Sequence, residues 1–212
     1  MLEASNVRAH SVLEPILKPG RHGSGYGAPG LWVRERTGIM VATIISRRGQ
    51  AMALASAVRS QFNCTLPPGP EYVRRGPVAF IGIGRGKWLA INDRPALAAI
   101  AFTVLQSSAA ISDQSSGYAL VDIGGTRAPD ALAKGCNVDL HPAVFKVGSV
   151  AATGMFYTAI ILWQIDPKPL YQIAIPRSWA PSFMEAFLAG ATEFEVEIRP
   201  SVEAGDLSET AN

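Results

Sequence analysis

The pattern of hydrophobic and polar positions changes character at about Gly38. Residues 1–37 are crowded with Gly and Pro, a composition that does not build a packed core alone. We therefore predict an extended arm over residues 1–37, lying against its own body or against a partner. Residues 38–199 show regular strand and helix periodicities and predict a single domain. Residues 200–212 predict an acidic tail.

The first half of the domain, residues 38–113, predicts the element order β-α-β-β-α-β. Its strands are β-branched or apolar runs, and its helices carry apolar side chains on one face. The short sequence Gly84-Arg85-Gly86 between two apolar runs predicts a hairpin. The predicted elements are a strand over 38–46, a helix over 49–62, strands over 78–83 and 87–92, a helix to about Gln106 that is capped by Asn92 or Asp93 and has Pro95 in its first turn, and a strand over 109–112.

The second half, residues 114–199, predicts the same order. Two such copies imply an α+β protein with antiparallel sheets and helices on one face. Both Trp163 and Trp179 are expected in the core, because large aromatic side chains dominate protein interiors. The predicted elements are a strand over 118–123, a helix over 126–134, strands over 150–165 and 170–175, a helix capped by Ser178 and a strand over 194–198.

Composition narrows the class of protein. The chain has 212 residues, of which 48% are hydrophobic, and a net charge of +2. Such a chain can bury a core without metals or disulfides, and its charge gives no indication of nucleic-acid binding. Its apolar runs fall well short of the ~20 residues that a membrane-spanning helix needs. The basic N-terminal part and acidic C-terminal end indicate either two solvated ends or docking onto other subunits.

The two cysteines, Cys64 and Cys136, lie far apart and belong to no CxxC motif or Cys/His cluster. This spacing predicts free thiols and no metal site. The first ten residues also lack the apolar segment of a secretory signal. We therefore expect a cytoplasmic protein.

Two glycine-rich segments resemble nucleotide-binding motifs in composition only. GYGAPG at 25–30 matches GxGxxG, but that motif requires a strand before it and a helix after it. A Gly/Pro-rich arm precedes it here. GIGRGK at 82–87 lacks the spacing of a phosphate-binding loop and predicts a hairpin instead.

Two short segments carry candidate chemistry. His141 lies close to Asp139 and could act as a general base, but Pro142 and the lack of an accompanying nucleophile favour a loop histidine bonded to backbone. Arg177 and Ser178 open a predicted helix, whose N-terminus attracts anions such as a carboxylate or a glutamyl tail. The alternative is that Ser178 only caps the helix.

Four segments taken in order resemble the gamma subunit of heterotetrameric sarcosine oxidase. They are DQSSGYALVDIGG, ALAKGCNVDLHP, AVFKVGSVAATGMFYTAIILWQID and YQIAIPRSWAPSF. The resemblance covers roughly Phe80 to Leu188 and is strongest after Asp113. Ser116-Gly117 departs from the DQSDG expected for this family.

The resemblance implies a complex of alpha, beta, gamma and delta chains. That complex oxidises sarcosine to glycine with oxygen, releases hydrogen peroxide and transfers the one-carbon unit to tetrahydrofolate. The resemblance implies FAD and FMN with the beta chain and its alpha interface, NAD with alpha and zinc with delta. It therefore predicts no catalytic residue, cofactor or metal on this chain. It also implies a fold similar to the folate-binding region of the glycine-cleavage T-protein.

These observations leave three hypotheses. The first is a non-catalytic subunit that braces the alpha and beta chains. The second is a module that binds tetrahydrofolate or its polyglutamate tail, with Arg177 and Ser178 as the anion site. The third is an independent enzyme that uses His141 and Asp139.

Overall fold

A computed structural model of the chain describes residues 11–25, 27–95 and 102–204. The strands are β1 (Gly20–His22), β2 (Leu31–Thr37), β3 (Met40–Ser46), β4 (Tyr72–Arg75), β5 (Val78–Gly84), β6 (Lys87–Asn92), β7 (Ala109–Asp113), β8 (Tyr118–Gly124), β9 (Val150–Met155), β10 (Thr158–Asp166), β11 (Leu170–Pro176), β12 (Val196–Ile198) and β13 (Val202–Glu203). The helices are α1 (Ala51–Phe62), α2 (Ala128–Ala133) and α3 (Ala180–Ala191), and a 3-10 turn follows over Thr192–Phe194.

The strands form two sheets. The larger has the order β1-β12-β2-β8-β11-β10-β9, with β13 also paired to β2, and the smaller has the order β4-β5-β6-β3-β7. Every pair in the smaller sheet is antiparallel. In the larger sheet only β12 and β13 run parallel to their neighbour β2. The α+β class and the antiparallel sheets predicted from the sequence are confirmed.

The sheets pack face to face, with helices covering their outer faces. Because side chains alternate between the two faces of a strand, each strand contributes apolar side chains both to an outer core beneath the helices and to the core between the sheets. In β3, Ile44 packs with Leu54 of α1, whereas Val41 faces the core between the sheets. In β8, Val121 packs with Phe183 of α3 in the outer core of the larger sheet. The molecule therefore has four layers in the order helix, sheet, sheet, helix.

Each half contains one strand more than the sequence predicted. The strand β4, YVRR, was missed because it is short, polar and preceded by a Pro-rich loop. The predicted strand over 150–165 is two strands, β9 and β10, joined at Phe156 and Tyr157. Both turn residues have positive φ, at 46° and 63°, without the Gly or Asn that signals such a turn. Most of the helix predicted from Pro95 lies outside the described residues.

Where the sequence predicts an arm up to residue 37, the structure places residues 31–37 inside the larger sheet as β2. Leu31 and Val33 are buried there together with Leu13 and Leu17. Strand β1 also pairs with β12. The described part of the arm thus lies against the chain's own body. The sequence LWVRERT did not predict a strand because two of its charged residues, Glu35 and Arg36, are buried beside its apolar ones.

No helix within the described ranges is long and apolar enough to cross a membrane.

Candidate functional site

A cleft opens where the chain crosses twice between the two sheets. One crossing is Gly38-Ile39, between β2 and β3, and the other is residues 114–117, between β7 and β8. The cavity has a volume of about 570 Å³. Among its lining residues are Glu35, Arg36, Asp113, Ser115, Tyr118 and Arg177.

The second crossing is a turn fixed by Asp113 and Ser115. The backbone N and the Oγ of Ser115 donate to Asp113 Oδ1 at 2.8 and 2.6 Å. These hydrogen bonds, the one from the Ser115 hydroxyl foremost, lower the pKa of the Asp113 carboxyl. Ser115 Oγ also accepts from Val41 N at 3.1 Å, which ties the turn to β3. The turn holds the two crossings together.

Glu35 forms part of the cleft wall and is buried. It accepts a hydrogen bond from the Ser11 hydroxyl. Burial raises the pKa of the Glu35 carboxyl, although the hydrogen bond from Ser11 and the charge of Arg177 act in the opposite direction. The wall of the cleft therefore contains a carboxyl group that resists ionisation.

Replacing Glu35 by Gln is expected to remove a pH-dependent loss of stability. The raised pKa means that the neutral carboxyl stabilises the fold below the ordinary value of 4.5, and that this contribution is lost as the pH rises through the folded-state pKa. Gln does not ionise, yet it keeps an oxygen that accepts from Ser11. The difference in urea midpoint between the variant and wild type should increase in favour of the variant as the pH is raised above the ordinary value of 4.5. A difference that stays constant over this range would contradict the prediction.

Arg36, Asp93 and Arg74 form an ionic cluster beside the cleft, in which Arg36 and Asp93 are buried and Arg74 is partly exposed. Arg36 Nη2 lies 2.8 Å from Asp93 Oδ1, and the two side chains are 2% and 7% exposed. Arg74 donates to the other oxygen of Asp93. Because Arg36 belongs to β2 and Arg74 to β4, the carboxylate of Asp93 links the two sheets.

A second carboxylate, Asp122 in β8, extends the cluster. Arg34 Nη2 donates to Asp122 Oδ2 at 2.9 Å, and Gln172 Nε2 donates to Oδ1 at 2.8 Å. Gln172 Oε1 in turn accepts from Trp163 Nε1 at 3.0 Å. Arg36 Nε lies 4.0 Å from Asp122 Oδ1, so the two carboxylates share the arginines of β2.

The cluster contains three guanidinium groups and two carboxylates. Within the described residues, Nε and Nη1 of Arg36 and Nε of Arg34 are buried without a hydrogen-bond partner. Sequence reasoning did not identify Arg36 as a site residue. No motif marks it, and only the long-range pairing of β2 with β8 places it in the interior.

The structure places only Arg177, of the two residues of the predicted anion site, Arg177 and Ser178, in the lining of the cleft. Arg177 is half-buried and lines the cleft, and its backbone N donates to Gly117 O at 2.9 Å. Ser178 is exposed and is not among the residues that line the cleft. It does not cap the helix, because a turn from Pro176 to Trp179 delays the start of α3 to Ala180. The prediction of a Ser178 cap is therefore wrong.

The same shift places Trp179 at the helix N-terminus with 58% of its surface exposed. The prediction that Trp179 belongs to the core is wrong, whereas Trp163 is fully buried as predicted.

His141 and Asp139 lie in an exposed turn. His141 N donates to Asp139 Oδ1 at 2.9 Å, and Ala143 N donates to His141 Nδ1 at 3.2 Å. Both side chains thus form local backbone hydrogen bonds, which confirms the loop interpretation of this histidine. This arrangement gives no support to a general base here.

The glycine-rich motifs and the cysteines complete the comparison with the sequence. Gly30 is followed by strand β2 rather than a helix, so GYGAPG does not form a dinucleotide-binding turn. The segment 82–87 is the predicted hairpin between β5 and β6. Cys64 and Cys136 are free thiols. Across residues 11–25, 27–95 and 102–204, no group of three or more His, Cys, Asp or Glu side chains is arranged to hold a metal ion.

No protein-family model matches the chain. A curated relative, the sarcosine oxidase subunit gamma of Arthrobacter sp, is 31% identical over 85 residues. This match spans 40% of the chain and 41% of the relative.

Two solved structures share the fold. A chain of the heterotetrameric sarcosine oxidase from Corynebacterium sp. U-96 matches with a TM-score of 0.71 and 21% identity, over 80% of this chain and 87% of that one. The glycine cleavage system aminomethyltransferase T of Bartonella henselae matches with a TM-score of 0.57 and 10% identity, over 80% of this chain and 47% of that one. The predicted similarity to the T-protein fold is confirmed. The chain therefore resembles a sarcosine oxidase gamma subunit in sequence over the matched 85 residues, and over 80% of its length it shares the fold of a chain of a heterotetrameric sarcosine oxidase.

Proposed function

We propose that the chain is a non-catalytic, gamma-type subunit of a sarcosine oxidase complex. This proposal rests on the agreement of two matches: the sequence match is to a sarcosine oxidase subunit gamma, and the fold match is to a chain of a heterotetrameric sarcosine oxidase. In this role the chain supports oxidation of sarcosine to glycine, with formation of hydrogen peroxide and transfer of the one-carbon unit to tetrahydrofolate. Its partners are the alpha, beta and delta chains, which carry FAD, FMN, NAD and zinc. Two free thiols are compatible with a cytoplasmic location.

The bonding of the candidate catalytic side chains supports a non-catalytic role. Asp139 accepts a hydrogen bond from the backbone N of His141, and His141 Nδ1 accepts one from the backbone N of Ala143. A general base needs a lone pair directed at a substrate proton, whereas both groups accept hydrogen bonds from backbone N–H groups of their own turn. Function in this chain is therefore expected to reside in its surfaces and its cleft.

Exposed apolar side chains support contacts with partner chains. Tyr157 is fully exposed, while its neighbour Phe156 packs edge-on against Phe183 and anchors the turn. Trp179 is also exposed. Exposed aromatic side chains are typical of protein interfaces, where their burial supplies much of the binding energy.

Co-expression with the alpha, beta and delta chains of a heterotetrameric sarcosine oxidase tests the proposal. The tagged chain should purify with all three partners, and the complex should produce hydrogen peroxide from sarcosine. A complex assembled without the chain should be less stable on gel filtration, because it lacks a bracing subunit. Omission of the delta chain alone provides the matched control. Full assembly and full activity without this chain, or turnover by this chain alone, would overturn the proposal.

A second candidate function is a module that holds tetrahydrofolate or its polyglutamate tail. The position of Arg177 in the cleft favours it, whereas Ser178 lies outside the cleft lining. Calorimetric titration of the isolated chain with tetrahydrofolate tests this candidate. The absence of saturable binding would exclude tetrahydrofolate binding as a function of this chain.

A further inference from the structure

We propose that the cleft between the sheet crossings binds a small molecule with an apolar or aromatic body and a single carboxylate, and that Arg36 and Arg177 recognise this carboxylate. The inference goes beyond the role of a bracing subunit. It deepens the second candidate function but does not require folate, since any ligand with this chemistry satisfies the site.

The charge of the ionic cluster is the first argument. Among the described residues, Arg34, Arg36 and Arg74 face two carboxylates, Asp93 and Asp122, which leaves an excess of one positive charge. Arg34 and Arg74 are 21% and 32% exposed, whereas Arg36 is only 2% exposed. Buried charges are normally paired, because removing an ion from water is costly. The excess of one unit matches a carboxylate better than a doubly charged phosphate group.

The other charged groups of the cleft do not cancel this excess. The Glu35 carboxyl interacts with the charge of Arg177, and burial raises its pKa. Asp113 accepts two hydrogen bonds from Ser115, which lower the pKa of its carboxyl and keep it negatively charged. Its negative charge is offset by the positive charge of Arg177, which also lines the cleft, so the excess of one positive charge remains. The anion that completes the site must therefore come from outside this set of residues.

The unpartnered nitrogens of Arg36 are the second argument. Its side chain is 2% exposed, and it forms part of the cleft wall. Nη2 bonds to Asp93, whereas Nε and Nη1 have no hydrogen-bond partner within the described residues. Buried N–H groups of a guanidinium are almost always bonded, since each one left without an acceptor costs the full penalty of its desolvation. A carboxylate oxygen in the cleft supplies the missing acceptor.

The remaining lining defines the body of the ligand. Apolar side chains form much of the wall, including Ile39, Met40, Val41, Tyr118 and Leu120. A cavity of about 570 Å³ falls within the size range of sites for small molecules. Apolar walls with a few convergent charged groups are the usual composition of such sites.

Benzoate titration of the isolated full-length chain tests the proposal. Benzoate should bind saturably at constant ionic strength, as followed by calorimetry and by chemical-shift changes. Benzamide, which has the same shape without the charge, should not bind. The variants Arg177→Gln and Arg36→Lys should each bind benzoate about tenfold more weakly or worse, the loss expected for one charge-assisted hydrogen bond. Arg48→Gln, which removes an exposed arginine outside the cleft lining, should bind as wild type does.

Equal binding of benzamide, or full affinity in Arg177→Gln, would overturn the proposal. Arg177→Gln leaves the ionic cluster intact, so it provides a result even if Arg36→Lys fails to fold. Benzoate binding that appears only after removal of residues 205–212 would identify the chain's own acidic tail as the occupant and would also overturn it. A parallel titration with tetrahydrofolate separates the two ideas. Binding of benzoate without binding of tetrahydrofolate removes the folate candidate and leaves the carboxylate site.

Discussion

Replacement of Asp122 by Asn is expected to lower the free energy of unfolding by about 3–5 kcal/mol. The carboxylate is 3% exposed and accepts from Arg34 at 2.9 Å and from Gln172 at 2.8 Å. Asn has nearly the same shape but no charge, so Arg34 and Arg36 lose a counter-ion, which water cannot replace at Arg36, whose side chain is 2% exposed. Urea unfolding followed by circular dichroism measures the loss.

Asp130→Asn is the matched control. Asp130 pairs with Arg127 at 3.0 Å, but both side chains are more than half exposed, at 54% and 52%. An exposed pair contributes only about 0–1 kcal/mol, because water and salt screen it. Equal losses for the two variants would mean that Asp122 is no more important than a surface carboxylate, and would remove the argument for a buried ionic link between the sheets.

Asp122 also connects stability with the proposed ligand site. Its loss raises the excess of positive charge in the cluster from one unit to two. A bound carboxylate compensates part of that excess, so benzoate should raise the unfolding midpoint of Asp122→Asn more than that of wild type. This coupling follows from ligand binding to the folded state only.

The sequence predicted the elements whose signals are local. The hairpin at Gly84-Arg85-Gly86 was predicted correctly because glycine marks a tight turn between two apolar runs. Helix α1 and strand β8 were also predicted, since α1 carries apolar side chains at helical spacing and β8 is a short, mostly apolar run. The α+β class followed from the order of these elements.

The missed elements depend on contacts distant in sequence. The strand β2 contains two arginines and a glutamate. Glu35 and Arg36 are buried and Arg34 is half-buried, with Ser11, Asp93 and Asp122 as their respective partners. A charged strand in a Gly/Pro-rich segment gives no local indication of such partners. The break between β9 and β10 was missed because its turn residues, Phe156 and Tyr157, have positive φ although neither is Gly or Asn. Phe156 is held in this turn by its packing on Phe183, which is distant in sequence.

The candidate site was predicted in part. Arg177 was identified from its position before a helix, yet its place in the structure is the wall of the cleft rather than the helix N-terminus. Arg36 and Asp113 join it there because two crossings between the sheets meet at this point. The two crossings lie about 75 residues apart in the sequence and meet only in the folded topology, so no local sequence pattern predicts the site.

Replacement of Trp163 by Ala is expected to lower the free energy of unfolding by about 3–5 kcal/mol. Trp163 is fully buried between the sheets, where its ring stacks on Tyr72 with centroids 6.3 Å apart. Its removal leaves a cavity and also removes the donor to Gln172 Oε1, which must then stay buried without that hydrogen bond. Chemical denaturation provides the measurement.

Trp179→Ala separates this effect from the general loss of a large aromatic side chain. Trp179 is 58% exposed and its side chain makes no cap hydrogen bond to α3, so the substitution should change the free energy of unfolding by no more than about 0.5 kcal/mol. If Trp179 contacts a partner chain, the same variant should weaken co-purification with the alpha, beta and delta chains. A large loss of stability in isolated Trp179→Ala would instead place this side chain in the chain's own core and remove it from the proposed interface.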